Sequence, residues 1–456
     1  MSTIDIQDGQ AEVIYRLNDK PPVVESFFAA FQHFLAIFVG IVTPPIIIAG
    51  ALKLPFEAKT YVISMALFVS GVATFIQVKK FGPVGSGLLS IQGTSFTFLG
   101  TIISIGIGVK ASGGSMEAAL CTIFGVCFVG SFIEMFFSRF VTRLRALIPP
   151  LVSGIVVTLI GLSLIKVGIT DIGGGAWLKM NKPQFFATYQ NLLLAGLVLV
   201  IIIICNRSKN RFIRMGSIAI GLIIGYAVAS FMGKVDFSKL STLSAFAAPI
   251  PFKYGFFKFS LTAFIPMALL YLITTVESMG DLTATSMVSG EPIEGELYMK
   301  RISGGILGDG FNSALAAVFN SFPNTTFSQN NGVIQMTGVA SRYVGFFIAG
   351  MLVFVGLIPA VGGVFSIIPA PVLGGATIIM FGTVAAAGIR IIASTKIDRR
   401  AVLIMALSFG VGLGVIMVPE ILSKMPPLAK SVFGSAITSG GLMAIFMNLI
   451  LPKSEA

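Results

Sequence analysis

Apolar runs, each about 20 residues long, alternate with short polar loops along the whole chain. They define fourteen segments: 27–50, 59–79, 87–106, 116–137, 148–168, 190–206, 211–232, 260–282, 302–320, 325–338, 343–362, 371–393, 400–418 and 431–452. Runs of that length match helices that cross a bilayer, whereas strands of a membrane barrel need only about 10 residues. The 456 residues are 55% hydrophobic and 11% charged. An ordinary soluble domain carries about 25% charge, so this chain has too little polar surface to close a globule in water. The expected class is an all-α polytopic membrane protein. The 51 glycines and 21 prolines suit helices that pack closely and are locally broken.

The net charge of +12 reads as topology. The cations sit in loops and form no stripe interleaved with aromatics, so no nucleic-acid partner is expected. With the N-terminus in the cytoplasm, most of the 31 lysines and arginines fall on the inner side. Clusters at Arg207, Lys209, Arg211 and Arg214, and at Arg390, Lys396, Arg399 and Arg400, fit that orientation. Fourteen spans then return the C-terminus to the cytoplasm. A single histidine and three scattered cysteines give no metal cluster and no catalytic grouping. No metal or organic cofactor is expected, and a membrane enzyme is disfavoured. No ring of charge or repeated filter suggests a channel.

Fourteen divides as seven plus seven, and an odd repeat places its second copy upside down, the plan of many secondary transporters. The third and tenth segments occupy the same place in each half. Both begin polar: Gln92-Gly93-Thr94-Ser95-Phe96 in one, Asn324-Thr325-Thr326-Phe327-Ser328-Gln329 in the other. Irregular backbone at membrane depth is tolerated where it lines a cavity or is buried in protein. Half-helices starting there would aim their N–H groups at a ligand.

Several side chains stand out in this frame. Glu277 and Asp281 lie four residues apart in the eighth segment and share a helix face. No lysine or arginine lies in that segment to neutralise them, and two adjacent buried carboxylates do not both ionise cheaply. They read as a substrate or proton site, with a structural hydrogen-bonded pair as the alternative. Asp309, among glycines in the ninth segment, is either a helix cap or a coupling-proton site. His33 is either a satisfied core hydrogen-bonder or an orienting residue. Glu134 reads as an interfacial ion pair with Arg139. The stretch from Thr325 to Gly338 is rich in amides, which both donate and accept, and suits a flat ligand whose edge alternates N–H and C=O. Phe96 would offer a ring face or its backbone N–H, or simply pack.

The run Gln329-Asn330-Asn331-Gly332, followed after four residues by Thr337-Gly338, resembles the signature of the nucleobase–ascorbate transporters. Gln32-His33 resembles a second motif of that family, and Glu277 and Asp309 fall where the family keeps acids. The local sequence from Gln329 to Gly345 is similar to that of bacterial xanthine permeases. The resemblance implies a core domain from residues 25–145 and 259–364, with a gate domain from 146–258 and 365–456 around it. A cytoplasmic tail occupies 1–24, and short antiparallel strands form in segments three and ten. It further implies an elevator-like homodimer in the bacterial inner membrane that imports a purine with H+ as the coupling ion. Glu277, Gln329, Phe96, Ser328 and Ser95 would contact substrate. Asp281, Asp309, His33, Asn330 and Thr337 would support the site or the proton. Ser95 departs from the asparagine of some xanthine-selective relatives, so urate is the second expected substrate. Gln329 argues against uracil. An anion exchanger of the same seven-plus-seven plan is the rival from another class, and it would want a cation at the centre.

Overall fold

The computed structural model describes residues 13–141, 143, 148–210, 213–214 and 216–452. Residues 1–12 of the expected tail lie outside them. Each of the fourteen segments contains a helix. In chain order these are α1 (Val23–Ala51), α2 (Phe56–Lys79), α3 (Leu99–Ala111), α4 (Met116–Phe137), α5 (Pro150–Ile172), α6 (Tyr189–Asn206) and α7 (Ser217–Phe231). The second half holds α8 (Leu261–Val288), α9 (Gly295–Val318), α10 (Gln329–Thr337), α11 (Arg342–Gly356), α12 (Ala370–Ala393), α13 (Arg399–Met417) and α14 (Ala436–Ile450). Among the described residues, eight are long and apolar enough to cross a bilayer unaided. A ninth span forms when α11 is joined to the short helix Pro359–Ser366, bent by 73° from it. The remainder explain themselves. Helices α3, α7 and α14 are apolar but short, α9 starts with charged residues and carries Asp309 and Asn312, and α10 is nine residues long.

Local sequence sets the helix ends. Pro150 at α5 and Pro371 at α12 occupy first-turn positions where a missing N–H does no harm. Ser115 and Asp398 cap α4 and α13 through the N–H groups of Ala118 and Ala401, at 3.1 and 2.8 Å. The last expected segment, 431–452, is interrupted at Gly434 and begins its long helix only at Ala436.

The third and tenth segments are broken as expected. β1 (Gln92–Thr94) precedes α3 and β2 (Asn324–Thr326) precedes α10. The strands pair antiparallel in the register Gln92 with Thr326, Gly93 with Thr325 and Thr94 with Asn324. Glycine is required beside this ribbon. A Cβ on Gly93 would lie 2.5 Å from Cζ of Phe327, and one on Gly40 of α1 would lie 3.0 Å from its Cε2. The Phe327 ring sits in the space these glycines leave, and its N–H donates to Ile91 O at 2.9 Å. That anchor fixes the chain just before Ser328 and Gln329.

Around the ribbon, α2 packs on α11, α4 on α8 and α9, and α1 on α2 and α11. Separately, α5 packs on α12, α6 on α7 and α12, and α13 on α14. Small residues permit the close crossings: the Cβ position of Gly161 meets the backbone of Ala385, and that of Gly388 meets Thr158. Helix α8 also touches α5 and α14, and the space between these groups of helices holds the central cavity.

Candidate functional site

A cavity of ≈ 550 Å³ opens where the two broken segments face α5 and α12, within the usual size for a small-molecule site. One wall carries Glu277 and Asp281 of α8, Ser95, Phe96 and Thr97 of the β1–α3 link, and Ser328 and Gln329 at the start of α10. The opposite wall is mostly apolar, with Val157 and Ile160 of α5 and Val384 and Ala387 of α12. No lysine or arginine lines the cavity among the described residues. Six of the ten expected residues therefore meet at one place, although 234 positions separate Ser95 from Gln329 in the chain.

Their local geometry differs. Glu277 Oε2 accepts a hydrogen bond from Thr97 Oγ1 at 3.0 Å, which ties the acid to the β1–α3 link. Ser95 is buried: its N–H donates to Pro323 O at 2.9 Å and its Oγ accepts from Thr97 N at 3.3 Å. Phe96 stands edge-on to Phe381 of α12, with ring centroids 5.9 Å apart at 82°. Ser328 and Gln329 are exposed to the cavity. They lead the first turn of α10, whose unbonded N–H groups and positive dipole end favour an electron-rich partner.

The other four expected residues lie behind this wall. Asp309 is fully buried and accepts from Gln77 Nε2 of α2 at 2.5 Å, Ser278 Oγ of α8 at 2.6 Å, and Thr326 Oγ1 and N of β2 at 3.1 and 3.3 Å. It joins three elements rather than facing the cavity. His33 is fully buried, with Nδ1 3.5 Å from Asn330 Oδ1. Asn331, next to Asn330, accepts from Thr285 Oγ1 at 2.8 Å and so links α10 to α8. Thr337 Oγ1 donates to Val333 O at 2.8 Å and accepts from Val339 N at 3.2 Å. It closes α10 just before Gly338, whose φ of +69° ends the helix.

One expectation is corrected. Glu134 makes no ion pair with Arg139 among the described residues. Its side chain is buried and its Oε1 has no hydrogen-bond partner. The reason is rotational. The flanking residues of α4 face inward, Gly130 against Tyr271 of α8 and Met135 against Gly310 of α9, whereas Arg139 lies beyond the helix end and is exposed. Sequence reasoning also missed Thr97, Gln77, Ser278 and Thr326. A lone glutamine in the apolar run of α2, and a serine directly after Glu277, were the available signals.

Paired strands at matched breaks, with a cavity where the breaks meet, define a seven-plus-seven inverted-repeat membrane transporter fold. Solved structures agree on the fold. The transmembrane domain of the cyanobacterial bicarbonate transporter BicA aligns with a TM-score of 0.60 at 14% identity, covering 95% of this chain and 99% of that one. The murine anion transporter Slc26a9 in its inward-facing state gives a TM-score of 0.63 at 12% identity, covering 95% and 69%. Residues 24–421 match the profile described as "Permease family". The xanthine permease XanP of Escherichia coli strain K12 is 49% identical over 100% of this chain and 99% of its own, and XanQ of the same strain is 47% identical over 98% and 96%. The nucleobase transporter PlUacP of Paenibacillus larvae is 37% identical over 92% and 93%. The chain belongs to this permease family, the nucleobase–ascorbate transporters.

Proposed function

We propose that the protein imports xanthine across the bacterial cytoplasmic membrane in symport with H+. The observation that carries this reading is the convergence of Glu277, Gln329, Ser328 and Phe96 on one cavity of ≈ 550 Å³. In this reading Glu277 accepts hydrogen bonds from ring N–H groups of the purine. Gln329 supplies both a donor and an acceptor along the same edge. Phe96 covers the ring, and the first turn of α10 meets the carbonyl oxygens. The names of XanP and XanQ support the choice of xanthine.

The proton is assigned to Glu277 and Asp281. Both line the cavity one helical turn apart with no cation beside them among the described residues, so substrate and proton reach the same place. Asp309, saturated with donors, holds α2, α8 and β2 in position instead. Alternating access follows from movement of the α1–α4 and α8–α11 group against α5–α7 and α12–α14, elevator-like, in a homodimer. The cavity extends past Ile148, Tyr298 and Ile391, at the α5 start, the α9 start and the α12 end, the side that carries Lys300 and Arg390. With cytoplasmic termini this is an inward-facing state.

Urate remains the second reading, because Ser95 lines the cavity and its small side chain leaves room for a further oxygen. Anion exchange is disfavoured by two carboxylates, and no cation, in the described cavity wall. The test is uptake of labelled xanthine by cells lacking their own purine permeases. A protonophore should abolish it, unlabelled xanthine should compete best, and Glu277→Gln should reach the membrane without transporting. Uptake indifferent to the protonophore, or competed best by urate, would overturn the corresponding part.

A further inference from the structure

A second cleft, of ≈ 410 Å³, lies where three helix ends meet. Lys80 comes from the end of α2, Arg139 from just past α4, and Lys300 with Glu296 from the first turns of α9. Lys300 is paired with Glu296 at 2.6 Å. Lys80 and Arg139 form no ion pair among the described residues, so the cleft holds two uncompensated cations. Lys80 adopts φ +60° at the C-terminus of α2, a conformation that a lysine rarely takes. A tight turn holds it there, with Phe81 N to Val84 O at 2.8 Å and Val84 N to Phe81 O at 3.0 Å. That turn fixes the backbone of Lys80 at the rim of the cleft. Beside the cleft Phe81, Phe136 and Phe140 are exposed, a surface suited to acyl chains rather than water.

We propose that this cleft binds the phosphate headgroup of an anionic phospholipid from the cytoplasmic leaflet. Basic pockets between membrane helices on that side take such headgroups. An arginine and a lysine together satisfy phosphate oxygens by directed bonds and by charge. The volume exceeds that of a phosphate alone and leaves room for the glycerol. Gly304, which also lines the cleft, accepts from Gly85 N at 2.8 Å. An occupied cleft therefore clamps the 80–87 loop to α9, little more than one turn from Asp309.

The experiment is native mass spectrometry of the purified full chain with phosphatidylglycerol or phosphatidylcholine of matched acyl chains. Phosphatidylglycerol should be retained preferentially. Lys80→Gln and Arg139→Gln should each weaken its retention about fivefold, and Lys80→Arg should restore it. Lys179→Gln, in the short helix Ala176–Asn181 on the other side, should change nothing. Equal retention of the two lipids, or undiminished phosphatidylglycerol binding by the double glutamine variant, would overturn the proposal. Binding of inorganic phosphate alone, with displacement of the lipid, would reassign the cleft to free phosphate and overturn the lipid assignment. Should Lys80→Gln fail to fold, Arg139→Gln alone decides.

Discussion

Asp309→Asn tests how the wall behind the cavity is held. The substitution keeps shape and removes one acceptor oxygen. Gln77 cannot adapt to it: its Nε2 already donates to Gly305 O at 2.7 Å and its Oε1 accepts from Ser86 N at 2.9 Å. The backbone N–H of Thr326 cannot turn either. Whichever way the new amide lies, its NH2 faces at least one fixed donor. An orphaned buried donor costs roughly 1–3 kcal/mol, and loss of the bond itself adds about 1 kcal/mol. The variant should be destabilised by about 3 kcal/mol, seen as a lower thermal midpoint of the purified protein and as reduced xanthine uptake. Gln77→Leu should produce a similar loss, and the two together should cost less than their sum because they break one network. An unchanged midpoint and normal uptake in Asp309→Asn would show that Asp309 does not join these elements.

Thr97→Val removes the hydroxyl that donates to Glu277. A bond to a carboxylate is worth about 1.5–3 kcal/mol, so apparent xanthine affinity should fall about tenfold to a hundredfold in an uptake titration, and Thr97→Ser should restore it. Gly93→Ala places a methyl 2.5 Å from the Phe327 ring. Overpacking of about 1–3 kcal/mol should displace Ser328 and Gln329 and lower uptake at normal membrane abundance. Leu17→Asp should loosen the link between α10 and α11. Leu17 is 2% exposed, and its carbonyl accepts from Arg342 N at 3.0 Å. Limited proteolysis near residue 17 should quicken, and no change in cleavage would count against that strap.

Much of the architecture was legible because a bilayer enforces it. Apolar length gave the fourteen segments, and the polar openings of the third and tenth located the two breaks. Glu277 and Asp281 were readable from helical spacing together with the absence of a nearby cation. The contacts behind the cavity were not readable. Thr97 meets Glu277 across 180 positions, and Gln77 meets Asp309 across 232. Hydrophobic periodicity carries no information about such meetings. Glu134 was misread for a related reason: proximity to Arg139 in sequence says little about the direction a helix face takes near its end. Asp309 among its glycines left cap and proton site equally open, and neither reading foresaw the donors from α2, α8 and β2.

The most direct measurement is an experimental structure with xanthine bound. The purine should lie with its N–H edge within hydrogen-bond distance of Glu277 and Gln329, its ring against Phe96, and Asp309 still held by Gln77 and Ser278. A purine seated elsewhere, or a Glu277 turned to the acyl chains, would contradict the account.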